Sequence, residues 1–150
     1  MLKNENGITL VSLVIMVIVI AILATVATYT GVSTYRNIQK TAMIKRLETV
    51  EEKVESIRKR AEVDSELKSK IDNDLLGNDL NNDHKNIISG STDHYRYFSN
   101  ENLEQQLNIK DIEGSYLINL KDGGTVYSVE GIFLGSGNEK AYSISEIKNK

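Results

Sequence analysis

The two histidines of this chain each follow an aspartate, as Asp83-His84 and Asp93-His94. An imidazole beside a carboxylate has the makings of a general base or a metal ligand. Either role needs further side chains converging on a rigid scaffold, and both pairs fall in a polar, Asn/Asp-rich stretch. The same stretch holds a second oxygen-rich constellation. Asp72, Asp74 and Gly77 stand at the first, third and sixth places of a calcium-binding loop, and Asp83 closes it at the twelfth. Leu76 sits at the fifth place, where an oxygen ligand belongs, and Asp83 replaces the longer, bidentate Glu. Asp72, Asp74 and Asp83 are therefore the calcium candidates, set against the plainer reading of an Asx-rich turn bonded to its own backbone. The chain has no cysteine, which removes disulfides and thiolate chemistry. It carries no nucleophile elbow, phosphate loop or dinucleotide fingerprint, so no catalytic residue and no cofactor is expected.

The elements that must carry these residues divide by charge. No charged residue occurs between Ile8 and Tyr35. Residues 36–71 hold ten Lys/Arg against seven Asp/Glu, and residues 72–150 hold seven against thirteen. An acidic C-terminal part lacks the basic face that neutralises phosphates, so nucleic acid is not an expected partner. Residues 8–27 are apolar apart from the hydroxyls of Thr9, Ser12 and Thr25, which can bond back to their own helix. Twenty residues at about 1.5 Å each match a hydrocarbon core about 30 Å thick. A core helix apolar on every side would need a larger protein around it than 150 residues supply. A secretory signal peptide would be shorter and more basic at its start, where this chain has only Lys3 against Glu5. By charge counting alone, Arg36, Lys40, Lys45 and Arg46 would hold the following domain in the cytoplasm.

The junction ahead of the apolar run bears on that orientation. Lys3, Glu5 and Gly7 end a short polar leader directly before Ile8, Thr9, Leu10 and the charge-free helix. This N-terminus resembles that of type IV pilins and type II secretion pseudopilins over about the first 35 residues. The resemblance implies cleavage by a prepilin peptidase between Gly7 and Ile8, N-methylation of Ile8, and export of the soluble domain to the outer side of the cytoplasmic membrane. It further implies assembly with other pilin or pseudopilin subunits. The family's usual mature Phe is Ile8 here, and the Glu that normally stands five residues into the mature chain is Ser12. A hydroxyl cannot neutralise a buried ammonium, which points to a minor component instead of the main filament subunit.

Beyond the membrane segment, Met43, Leu47, Val50, Val54, Ile57 and Ala61 step by three and four and predict one apolar stripe of a helix reaching about residue 71. Glu55 with Lys59, Asp64 with Lys68, and Glu66 with Lys70 are spaced as supporting pairs on its wet face. Residues 72–114 read as a loop, with a short helix or turn near 103–112, and with Tyr95, Tyr97 and Phe98 as loop anchors. Strands are expected at 115–120, 125–130, 132–134 and 141–145, the first two joined at Lys121, Asp122, Gly123 and Gly124 as a hairpin. The expected architecture is α+β and pilin-like, a long N-terminal helix packed on a small C-terminal antiparallel sheet. Its parts are a leader at 1–7, a transmembrane helix at 8–35 and a soluble domain at 36–150. The expected role is structural. The alternative is a single-pass membrane protein that never polymerises and carries a small extracytoplasmic binding domain.

Overall fold

The computed structural model describes residues 5–135 and 137–150, with side chains from Leu10 onward except Tyr29. Two compact units divide between Ile38 and Gln39. The fold is α+β. Helix α1 runs Glu5–Ala61, uninterrupted because the chain has no proline to remove an N–H. In its apolar half the hydroxyls of Thr25, Thr28 and Thr30 donate to the carbonyls of Ala21, Ala24 and Val26 at 2.8, 2.8 and 3.0 Å, which satisfies them without water. In its second half the stripe of Leu47, Val50, Val54, Ile57 and Ala61 is buried.

The helix does not reach residue 71. It ends at Ala61, and a separate helix α2 occupies Ser65–Asp72. The break is made by Asp64, whose carboxylate accepts from the N–H groups of Glu66 and Leu67 at 3.1 Å each. Asp64 is thus an N-cap of α2, a stronger use of its oxygens than the exposed pair with Lys68 that its spacing suggests. The other two spaced pairs form, Lys59 to Glu55 at 3.9 Å and Lys70 to Glu66 at 2.8 Å.

The expected loop at 72–114 contains more regular structure than one short helix. It holds helix α3 (Asn82–Ile87), strand β1 (Tyr95–Phe98) and helix α4 (Asn100–Leu107). Tyr95, Tyr97 and Phe98 are therefore residues of a strand, not anchors on a loop. β1 pairs antiparallel with β2 (Tyr116–Asn119), Tyr97 opposite Leu117 and Phe98 opposite Tyr116. β2 pairs in turn with β3 (Tyr127–Ser128), giving the order β1-β2-β3. Between β2 and β3 the side chain of Asn119 accepts from the Asp122 N–H at 2.9 Å, and Gly123 turns at φ 77°. A Cβ at Gly123 would stand 2.5 Å from the Arg58 guanidinium, which could swing aside, so it is the positive φ that favours glycine in the turn.

A second, two-stranded ladder joins β4 (Ile132–Phe133) to β5 (Lys140–Ala141). The expected strand at 141–145 survives only as Ala141, because helix α5 occupies Ile144–Lys148. Ser143 caps it by accepting from the Glu146 N–H, and Glu146 reaches back to the N–H of Tyr142 at 2.7 Å. That Ser-x-x-Glu arrangement is a helix-start device which outweighs the β preference of Tyr142 and Ile144.

All four residues of β2 are buried, because the sheet is covered on both faces. Tyr116 and Ile118 join the cluster of the α1 stripe, together with Phe98, Leu103 and Val126. Leu117 points the other way, into a smaller cluster with Ile88 and Tyr127. Outer strands are bonded too: Asn78 exchanges two backbone hydrogen bonds with Tyr97 at 2.8 and 2.9 Å, and Ser128 donates to the Tyr142 carbonyl at 2.8 Å.

Glu51 lies where α1 meets the β3 approach. Partial burial pushes its pKa above the usual glutamate value, the hydrogen bond from the Val126 backbone opposes the shift, Glu48 adds to it and Lys148 lowers it. A carboxyl with a raised folded-state pKa takes up its proton at a higher pH folded than unfolded, so stability falls as pH rises through that window. Glu51→Gln keeps an acceptor for Val126 and removes the buried charge. Its thermal unfolding in detergent should match that of the parent near pH 4 and exceed it at pH 7 by roughly 2 °C, a small gain because the site is screened by solvent. A lower melting temperature at pH 7 would contradict this account.

Candidate functional site: an apolar helix surface and a closed acidic loop

The apolar half of α1 finds no protein to cover it. Leu10, Leu13, Met16, Ile20 and Leu23 are each more than half exposed, and none of the most apolar window is buried. Large side chains exposed on every side of a helix are not a normal soluble surface, where apolar patches stay small. Among the described residues this is one helix long and apolar enough to cross a membrane. Ser12 lies within it and is exposed. Gly7 and Ile8, the expected cleavage and methylation positions, belong to the first turns of α1, but their side chains lie outside the described residues, as do residues 1–4 of the expected leader at 1–7.

The acidic loop does not assemble the calcium candidates. Asp72 is the exposed last residue of α2, and Asp83 opens α3. Asp74, at φ 54°, turns its carboxylate to the Lys121 ammonium at 3.2 Å. No group of three or more His, Asp or Glu among the described residues stands close enough to hold a metal ion. The loop already has a cation of its own. Arg96, on β1, donates to the Leu76 carbonyl at 3.3 Å and the Gly77 carbonyl at 3.2 Å, and its guanidinium also pairs with the Asp79 carboxylate. A guanidinium is a fixed fork of donors and needs no dehydrated ion to satisfy the same oxygens.

Gly77 is required for a reason unrelated to metal binding. Its φ is 70°, and a Cβ there would come within 2.8 Å of the Phe98 ring and 2.9 Å of Arg96 Cβ. Its N–H donates to the Gln106 side chain at 2.6 Å. The loop is thus tied to β1 through Arg96 and to α4 through Gln106. Sequence reasoning missed Arg96. Its only local signal is a cation between two tyrosines, and its partners lie 17 to 20 residues away.

Of the two histidines, His84 has structural partners. His84 stacks on Tyr97 with ring centroids 4.5 Å apart, and its Nδ1 accepts from the Asn81 N–H at 3.4 Å to complete the capping box of α3. His94 is exposed in a left-handed turn at φ 63°. Two tyrosines are held as neutral donors. Burial raises the Tyr95 phenol to about 12, aided by Tyr127, and it donates to the Thr125 carbonyl at 2.9 Å. Burial also raises Tyr116 to about 12, and it donates to the Glu113 carbonyl at 2.8 Å.

A cleft of about 170 Å³ lies among Arg58, Lys68, Asp72 and Lys121 over Ile71 and Leu120. Two of its three cations are engaged, Arg58 by Glu55 at 3.0 Å and Lys121 by Asp74. Its volume falls below that of ordinary small-molecule pockets. No family model, curated protein or solved structure matches this chain.

If Arg96 is the loop's cation, millimolar calcium should leave the melting temperature unchanged within error. Arg96→Ala should cost about 2 kcal/mol by leaving the Leu76 and Gly77 carbonyls without their donor. A calcium-dependent rise in thermal stability, in the parent chain or in the variant, would sink the assignment.

Proposed function

We propose that the chain is a prepilin-like structural subunit: inserted in the cytoplasmic membrane, cut between Gly7 and Ile8 by a prepilin peptidase, methylated at Ile8, and assembled as a minor component of a type IV pilus or pseudopilus. The observation that carries this reading is an apolar helix surface uncovered from Leu10 onward, beginning directly beside the polar leader that ends at Gly7. Bare apolar helices need either lipid or other helices, and a filament of packed subunits offers the second after the membrane has supplied the first. The N-terminus resembles that of pilins and pseudopilins, and the α+β soluble part, a helix stripe packed on a short antiparallel sheet, agrees with a pilin-like architecture. In this reading the domain from residue 36 lies outside the cytoplasm. The role in this reading is structural and not enzymatic: His84, Tyr95, Tyr116 and the acidic loop have packing, hydrogen-bonding or capping partners.

Ser12 sets the place in the assembly. After cleavage the new Ile8 ammonium must sit in apolar surroundings, where an unpaired charge costs several kcal/mol. Ser12 brings no carboxylate to a copy of the same chain, so the ammonium needs the Glu of a different, more abundant subunit. The same residue favours a second reading, a single-pass protein that never polymerises and binds a partner through its extracytoplasmic domain.

Protein isolated from its native membrane should begin at Ile8 and carry one methyl group by intact mass, and Gly7→Phe should leave the chain seven residues longer. Retention of Met1 through Gly7 in the parent chain would defeat the processing claim.

Quantitative mass spectrometry of sheared surface material separates the two readings. The minor-subunit reading expects the chain in filaments at low stoichiometry, and no filaments when it is the sole pilin expressed. Its complete absence from filaments supports the second reading, and its dominance there would overturn the role assigned to Ser12.

A further inference from the structure

Arg36, Lys40, Lys45 and Arg46 follow the charge-free stretch of α1, and no acidic residue occurs in the chain between Glu5 and Glu48. Four cations without an anion directly beyond an apolar helix oppose export of whatever follows. We propose that this segment is a basic collar that binds the headgroups of anionic phospholipids on the side of the membrane where the domain lies. The proposal rests on α1 crossing a membrane and holds for either orientation.

Helix geometry supports the placement. The charge-free run from Ile8 to Tyr35 is 28 residues, about 42 Å of helix, the thickness of a bilayer with its headgroups. Arg36 therefore emerges at the headgroup surface, and Lys40 stands about 6 Å further out, within one Debye length at physiological salt. Side chains on a helix lean toward its N-terminus, which for these residues is the membrane end. Arg36, Lys45 and Arg46 are exposed and Lys40 is half-buried. Tyr35 and Ile38 are 62% and 61% exposed beside them, an amphipathic ring and an apolar side chain suited to the same boundary. Lys45 and Arg46 lie farther out, and Arg46 also reaches Glu113 at 3.8 Å, so they contribute less.

The test uses the full chain reconstituted in phosphatidylcholine vesicles with trace spin-labelled phosphatidylglycerol or spin-labelled phosphatidylcholine. Paramagnetic resonance reads the fraction of each lipid immobilised on the protein, and flotation of each preparation checks insertion separately. At low salt phosphatidylglycerol should be favoured several-fold, with the preference shrinking toward unity in 0.5 M NaCl. Arg36→Gln/Lys40→Gln should lose most of the preference, while Lys45→Gln/Arg46→Gln retains most of it. Equal association of the two lipids with an inserted parent chain, as expected if carboxylates of neighbouring copies occupied these cations, would overturn the proposal. So would a preference left unchanged by Arg36→Gln/Lys40→Gln. A chain that fails to float refutes the membrane insertion on which the proposal and the proposed function both rest.

Discussion

The contact on which the domain depends is the stripe of Leu47, Val50, Val54, Ile57 and Ala61 on the second half of α1. Strands of two to four residues cannot stand as a free sheet in water. They persist because Tyr116, Ile118 and Phe98 lose their contact with water against that stripe, which is also what fixes the register: a slip of one residue in β2 would exchange Tyr116 and Ile118 for Leu117 and Asn119. With no cysteine to share the load, packing and hydrogen bonds carry the domain. The smaller cluster around Ile88 and Leu117 then closes the opposite face of the sheet.

Local periodicity made part of this legible. The three-and-four spacing from Met43 to Ala61 announced the buried stripe, and the glycines at 123 and 124 announced the reversal between β2 and β3. Features made by distant partners left little trace. β1 is four residues in a polar stretch and becomes a strand only because β2 offers it a ladder. Arg96 looked like any surface cation until its fork closed on Leu76, Gly77 and Asp79. In two places a competing local signal was present and misjudged. Asp64 reads equally as the partner of Lys68 or as a helix cap, and the cap satisfies two backbone donors where the pair satisfies none. Ser143 and Glu146 carried cap spacing inside a segment whose Tyr142 and Ile144 read as strand.

The residues with chemical potential were judged by type in the sequence and by neighbours in the fold, and the two judgements differ in kind. An aspartate-rich run suggests a cation, and one is present, but it is a side chain of the protein itself. A histidine beside an aspartate suggests proton transfer, yet His84 spends its ring on Tyr97 and its Nδ1 on a helix start. Among the described residues no buried side-chain polar atom lacks a hydrogen-bond partner, and what stands uncovered is the apolar flank of α1 from Leu10 onward.

The sheet's outer strands have a consequence for how copies of this chain can meet. Unpaired strand borders are templates on which chains stack without limit, and many proteins blunt them with charge or proline. Here the outward side of β1 is occupied by Asn78 and that of β3 by the Tyr142 carbonyl. Contact through added strands, the route that leads to domain exchange and amyloid, is blunted at both margins by the chain's own backbone.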